Sequence, residues 1–256
     1  MAELDRDGVR IHYDVAGHGP AVLLTHGYSA SAHMFANVVE ALAVDHTVIT
    51  WDLRGHARSD SPADPDAYSM ELCLADVVAL LDHVGVERAV LAGHSLGGYL
   101  SLALWLARPD RVRALVLVGT GPGYRNDDAR QKWNDMALRY AGAIEKRGAD
   151  ALGGSPEVRG VEHRDFAGLA RAGRGILVQR DGAVIDALPR IDVPTLVVVG
   201  ERDAQFVGGS RYMAERIPGA ALDVIADASH APNLSQPTVF NATVRAFLHR
   251  VEGAHP

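Results

Sequence analysis

The chain has 256 residues, with 32 acidic and 25 basic side chains and a formal charge of −7. Its length and 48% apolar content exclude a disordered chain and suit one large globular domain with a real core, or a core plus a small lid. The acidic balance argues against nucleic acid as a partner, and a single cysteine, Cys73, excludes an intramolecular disulfide.

The opening segment, "MAELDRDGVR", is charged and has no apolar h-region, so it does not read as a signal peptide. No stretch approaches the roughly 20 apolar residues of a membrane span. The expectation is a soluble, cytoplasmic protein with no membrane partner. "VRIHYDVAG" alternates and stops at glycine, which predicts an early hairpin strand. "PAVLLTHG", "HTVITWD", "RAVLAGHS", "VRALVLVGT" and "PTLVVVGERD" are near-continuous apolar runs ending at turn residues, and "AALDVIADASH" is a weaker example. Runs of this kind suit a parallel sheet buried on both faces. Between them lie helical patterns. "SMELCLADVVALLDHVG" carries apolar residues at helical spacing and buries Cys73 as a core thiol. "GGYLSLALWLARPD" is a strongly apolar helix ended at Pro109, and "TVFNATVRAFLHRV" is amphipathic.

Strand–helix alternation predicts an α/β fold with a doubly wound, mostly parallel sheet. From Pro122 to about Leu188 the strand pattern lapses. That segment reads as several short helices between the turn-rich stretches "GTGPG" and "PRIDVP". We expect a small helical cap over residues 122–187, inserted into a core made of 1–121 and 188–256.

"GHSLG", Gly93 to Gly97, fits G-x-S-x-G between a predicted strand and a predicted helix. So sharp a turn forces its central residue into an unusual backbone conformation, and flanking glycines remove Cβ clashes. Ser95 would then project at the start of a helix whose free amides favour negative charge. A serine hydroxyl needs a base to become a nucleophile. On this kind of scaffold the chain order is Ser, acid, His. Asp203 follows a late strand in "VVVGERDAQF", and His230 lies in the loop after the last strand, in "IADASHAPNLSQP". Both stand at C-terminal strand ends, where open α/β sheets build sites. Asp203 would orient the imidazole and His230 would take the Ser95 proton. Glu201 and Asp227 are nearby decoys read as turn residues, and most of the 12 histidines read as surface or packing residues. For the oxyanion, the backbone N–H of Leu96 would be one donor, and the N–H of Tyr28 in "HGYSAS" the other. The Tyr28 ring reads either as wall packing or as a phenol in the pocket. Met34, Trp133 and Arg125 are further pocket candidates.

Together "LLTHGYSAS", "ITWDLRGHARSDSP", "LAGHSLGGYLSLALWLARPDRVRALVLVGT", "IDVPTLVVVGERD" and "IADASHAPNLSQP" resemble the α/β-hydrolase superfamily over nearly the whole chain. The chain looks like its small esterase and enol-lactone hydrolase branch. The start of the cap is also similar to the menaquinone-pathway synthase that eliminates pyruvate. Three departures stand out. Ala57 occupies a turn position where many relatives have glycine, and Met34 stands where many have tryptophan. Ser95 stands where relatives cutting carbon–halogen bonds or epoxides carry aspartate. In the superfamily, Arg54 and His56 of "DLRGHARSD" belong to a mainly structural turn.

The resemblance implies a serine hydrolase acting on a small-molecule ester or lactone. The alternative is a C–C bond hydrolase or a lyase acting on a ketonic substrate. Cap arginines Arg125, Arg130, Arg139, Arg171 and Arg174 would then serve as carboxylate clamps. A third reading is a binding protein that retains the fold without efficient turnover. No metal-ligand spacing and no phosphate-binding G-x-x-x-x-G-K-[ST] occurs in the sequence, so no metal or cofactor is expected. Substrate identity and oligomeric state do not follow from the sequence.

Overall fold

The computed structural model describes residues 2–253. Its centre is an eight-stranded sheet: β1 (Ala2–Arg6), β2 (Val9–Ala16), β3 (Ala21–Thr25), β4 (Thr47–Trp51), β5 (Ala89–His94), β6 (Val112–Val118), β7 (Thr195–Gly200) and β8 (Ala221–Ile225). The spatial order is β1-β2-β4-β3-β5-β6-β7-β8. β2 pairs antiparallel with both β1 and β4, and the remaining pairings are parallel.

The continuous apolar runs follow from burial on both faces, because successive side chains of a strand point to opposite sides. Leu23, Leu91, Leu115, Leu117 and Val197 join one core cluster. Their neighbours Val22, Leu24, Val90, Ala92, Val116 and Val198 join the other. The first face is covered by α2 (Met70–Val84), through Cys73, Val77, Leu80 and Leu81, and by α3 (Leu96–Ala107), through Leu100 and Leu104. Met213 of α7 (Val207–Arg216) reaches the same cluster. The second face is covered by α1 (Ala36–Leu42), through Val38 and Leu42, and, after the single turn α8 (Pro232–Ser235), by α9 (Pro237–Gly253), through Phe240, Val244, Phe247, Leu248 and Val251. Each large apolar side chain buried this way contributes about 1.5–3 kcal/mol, so a charge at Val77 or Val244 would open that layer.

Local signals set the helix ends. The Ser69 hydroxyl accepts from the Leu72 amide at 3.2 Å, and Gly85, at φ 78°, closes α2 in the left-handed region. Between β6 and β7 the described chain is helical: α4 (Asp127–Arg147), α5 (Phe166–Ala172), a π-helical turn over Gly173–Leu177, and α6 (Ala183–Ala187). The helical stretch that begins at Asp127 runs unbroken for 21 residues, to Arg147. Asn126 caps its start, acidic residues fill its first turn, and Lys146 and Arg147 lie in its last. Ala141 and Ile144 of α4 pack with Leu169 and Ala170 of α5 in a separate small core, which Tyr28 also touches. No helix among the described residues is long and apolar enough to cross a membrane.

Three elements do not stand out in the sequence. β1 is a five-residue edge strand whose residues alternate between half-buried and exposed, and α1 and α7 are short. Arg54 is buried and forms two 2.7 Å bonds to the fully buried Asp76, with its third arm on the Ala67 carbonyl. This is the structural role expected of that turn. Ala57 adopts φ 39°, so an alanine holds a left-handed position that glycine would occupy freely.

Candidate active site

β5 ends at His94, α3 begins at Leu96, and Ser95 alone makes the turn at φ 53°, ψ −115°. The elbow is tight enough to explain its glycines. A Cβ on Gly93 would stand 2.2 Å from the Gly97 carbonyl oxygen, and one on Gly97 would stand 2.1 Å from the Thr25 carbonyl oxygen. The strained turn is pinned from several sides. The Ser95 N–H donates to the Val118 carbonyl at 2.9 Å. The Ser95 carbonyl accepts from the Thr120 hydroxyl at 2.7 Å and from the amides of Gly98 and Tyr99. His94 and Leu96 are buried, whereas Ser95 is only half-buried and faces a cavity.

The loop after β7 supplies Asp203, and the loop after β8 supplies His230. The His230 Nδ1 lies 2.8 Å from Asp203 Oδ2, and Asp203 is buried. A carboxylate can only accept, so the imidazole proton sits on Nδ1 and the Nε2 lone pair is free. Phe206 stacks on the imidazole at 4.9 Å between centroids, and His94 lies on it at 4.6 Å. The His94 Nε2–H donates to the His230 carbonyl at 3.1 Å. Burial, with His230 beside it, holds the His94 pKa well below the usual imidazole value, so that ring is a neutral strut. Gly119 follows β6 and closes the arrangement. A Cβ there would stand 2.6 Å from the His230 carbonyl oxygen and 3.4 Å from Asp203 Oδ2.

The loop after β3 approaches Ser95 from the other side. A Cβ on Gly27 would stand 3.1 Å from the Ser95 Cβ. The Gly27 carbonyl accepts from the Ala30 amide at 3.2 Å and from His26 Nδ1 at 2.7 Å. Across a trans peptide the Tyr28 N–H points the opposite way. Among the described residues, neither the Tyr28 nor the Leu96 amide donates to a protein acceptor.

The cavity above Ser95 measures about 200 Å³ and includes Leu96, Tyr99, Trp133, Gln179 and Phe206 in its lining. Of the four pocket candidates, Trp133 lines it, with its indole N–H donating to the Leu177 carbonyl at 3.0 Å. The other three lie elsewhere. Tyr28 turns its ring against His56 and Tyr140 and donates its hydroxyl to the Leu169 carbonyl at 2.8 Å. Burial raises its pKa, keeping it a donor. Met34 is buried in the core cluster between the sheet and α1 and α9. Arg125 is exposed and pairs with Asp186 at 2.6 Å. Of the other candidate clamps, Arg171 donates to the Pro62 carbonyl, Arg174 pairs with Glu145 and Arg139 is exposed. Arg130 stands at the cavity's margin, paired with Asp127 and donating to the carbonyl of the lining residue Tyr124. Among the described residues, no group of three or more His, Cys, Asp or Glu side chains is placed to hold a metal ion.

Sequence reasoning missed His163. Its Nδ1 accepts from the Ala57 amide at 3.0 Å and its Nε2–H donates to the Ser29 carbonyl at 3.1 Å. It therefore ties the segment before α5 to the loop after β3, and burial depresses its pKa to about 4. A lone histidine in "RGVEHRDF" gives no signal of this. Phe206 had one faint signal, an aromatic three residues after Asp203 in a loop.

Known proteins share this fold. A family model described as "alpha/beta hydrolase fold" matches residues 20–156. The chain is 32% identical to a pimeloyl-[acyl-carrier protein] methyl ester esterase of Chromobacterium violaceum, over 95% of this chain and 99% of that one. It is 27% identical to a putative 2-succinyl-6-hydroxy-2,4-cyclohexadiene-1-carboxylate synthase of Bacillus subtilis, over 94% and 96%. Among solved structures, a thermophilic esterase from Thermogutta terrifontis superposes with a TM-score of 0.85 at 27% identity, covering 98% of this chain and 99% of that one.

Proposed function

The chain belongs to the α/β-hydrolase family, and from that premise we propose that it hydrolyses a carboxylic ester or lactone of a small molecule, with Ser95 as nucleophile. The observation that carries this reading is the Asp203–His230 hydrogen bond, 2.8 Å long, at the same end of the sheet as the Ser95 elbow. Asp203 fixes the tautomer, leaving His230 Nε2 to accept the Ser95 proton as Oγ attacks the carbonyl carbon. The tetrahedral oxyanion is held by the amides of Leu96 and Tyr28, which have no other acceptor. Collapse breaks the C–O bond, and His230 returns the proton to the departing alkoxide. A water then attacks the acyl-enzyme, giving its proton to His230. The acid leaves and the Ser95 hydroxyl is restored.

The cavity also favours an ester or lactone over a polyanion. Elimination from a multiply carboxylated substrate calls for cations facing the serine, and the cavity lining contains no Arg or Lys, with Arg125, Arg130 and Arg174 each paired to a carboxylate. The esterase likeness, at 32% identity over nearly both full lengths, supports the same reading. Turnover of p-nitrophenyl acyl esters by wild type and Ser95→Ala tests it. Wild type is expected to turn over and the variant to lose turnover. Full retention of rate in Ser95→Ala overturns the assignment.

A further inference from the structure

One polar side chain in the cavity has nothing to bind. Gln179 follows the apolar run "GILV" and is only 8% exposed. Its backbone is clamped by Asn134. The Gln179 amide donates to Asn134 Oδ1 at 2.8 Å, and Asn134 Nδ2 donates to the Gln179 carbonyl at 2.8 Å. The carboxamide itself is left over. Its Oε1 is buried with no hydrogen-bond partner, and among the described residues its Nε2 donates to no protein acceptor. It lies against Gly123, where an added Cβ would meet Oε1 at 2.9 Å and the Tyr99 ring at 3.1 Å. Gly123, Gln179 and Tyr99 thus converge on one spot of the cavity wall.

An unpaired buried amide is destabilising, because it has given up its hydrogen bonds to water without replacing them. Oε1 is covered by protein, so the Nε2 end is the one a ligand in the cavity can reach, and holding it rigidly by the backbone makes sense where a ligand completes its hydrogen bonds. The Tyr99 hydroxyl also has no protein partner among the described residues, and burial pushes its pKa up to about 12, so it stays protonated. The cavity lining holds no Lys, Arg, Asp, Glu or His, and the two charges that act on the Tyr99 phenol, Asp181 and Arg130, oppose each other. A charged ligand group would therefore be desolvated there without a net counter-charge. A carboxamide offers one acceptor and one donor face, and turning it over only exchanges their places.

We infer that Gln179 and Tyr99 form a recognition subsite for an uncharged group that both donates and accepts hydrogen bonds, an amide or a hydroxyl, carried by the ester or lactone substrate. The inference rests on the serine-hydrolase reading above and narrows its substrate class. Plain alkyl esters would leave the carboxamide unpaired, and carboxylate-bearing chains would bring an uncompensated charge.

The test uses p-nitrophenyl esters with matched acyl chains that differ only in an internal methylene pair, a secondary amide or a terminal carboxylate. A second series places the same chains on the alcohol side of acetate esters. In wild type, kcat/KM for the amide chain is expected to exceed that for the alkyl chain by about tenfold or more in at least one series, with the carboxylate chain slowest. In Gln179→Leu the amide-to-alkyl ratio is expected to collapse toward unity. Each ratio is taken on one preparation, so it does not depend on how much of the variant is active. Two outcomes overturn the subsite: a wild-type ratio near unity in both series, or an undiminished ratio in Gln179→Leu. Loss of all Ser95-dependent hydrolysis in wild type would instead refute the reaction itself.

Discussion

Gly27→Ala tests the proposed oxyanion site while leaving Ser95, His230 and Asp203 unsubstituted. Gly27 does not occupy the left-handed region, so alanine strains the backbone nowhere else. The new methyl would stand 2.8 Å from His94 Nδ1 and 3.1 Å from the Ser95 Cβ. Normal contacts begin near about 3.5 Å, so these fall short by about 0.4–0.7 Å. Both neighbours are held. Ser95 is pinned by Val118 and Thr120, and His94 is fixed to the His230 carbonyl. The loop after β3 must therefore retreat, carrying the Tyr28 amide with it by about half an ångström. A donor at about 2.9 Å then sits near the outer limit of useful geometry. Complete loss of one oxyanion donor costs about 2.7–4 kcal/mol, or about 10²–10³ in kcat. We expect kcat on p-nitrophenyl acetate to fall between about tenfold and 10³-fold. KM should change little, because the donor acts on the transition state. A circular-dichroism melt checks that the fold is intact. Native-like melting with kcat within about twofold of wild type would refute the placement of Tyr28 N–H at the oxyanion.

Two further outcomes concern the scaffold. Arg54→Met leaves the buried Asp76 carboxylate without its bidentate partner, which is expected to lower stability by about 3–5 kcal/mol and Tm by about 6–20 °C. The double variant Arg54→Met/Asp76→Leu should recover most of the loss in thermal melts, and failure to recover would reject the ion-pair account. His163 has a folded pKa of about 4 against roughly 6.5 unfolded. Between those values the unfolded chain binds the extra proton, so stability falls as pH drops through about 6.5 toward 4. Glutamine at 163 can accept from Ala57 and donate to Ser29 without titrating. In urea titrations at pH 7 and pH 5, His163→Gln should reduce the acid-induced loss by about 2 kcal/mol. An unchanged loss would show that the imidazole is not the titrating group.

The sequence revealed much of the sheet because its inner strands are buried on both faces. Runs such as "AVLLT" and "TLVVVG" are apolar throughout and stop at the turn residues that end the strands. β1 lacked that signal because edge strands bury one side at most. Ser95, Asp203 and His230 were legible for a topological reason. Parallel strands bring their C-terminal ends to one edge, so residues distant in sequence but equivalent in position come together. The cavity wall had no such rule. Whether Arg125 faces substrate or Asp186 depends on a contact across 61 residues, and the Tyr28 hydroxyl bonds Leu169 across 141. The single glutamine after "GILV" was the only local mark of Gln179.

Tyr28 joins two parts of the molecule that are often treated as separable. Its amide is the proposed oxyanion donor, and its hydroxyl holds the backbone of α5. The neighbouring Ser29 carbonyl is tied to His163. An engineer exchanging the helical segment between β6 and β7 for that of a relative would therefore be replacing a load on the loop after β3 as well as part of the cavity wall. A transplant that fits in outline but lacks a carbonyl for Tyr28 and an imidazole for Ser29 would arrive with a slack loop beside Ser95. In this protein, new specificity is best sought by single changes on the cavity wall, with the two straps left in place.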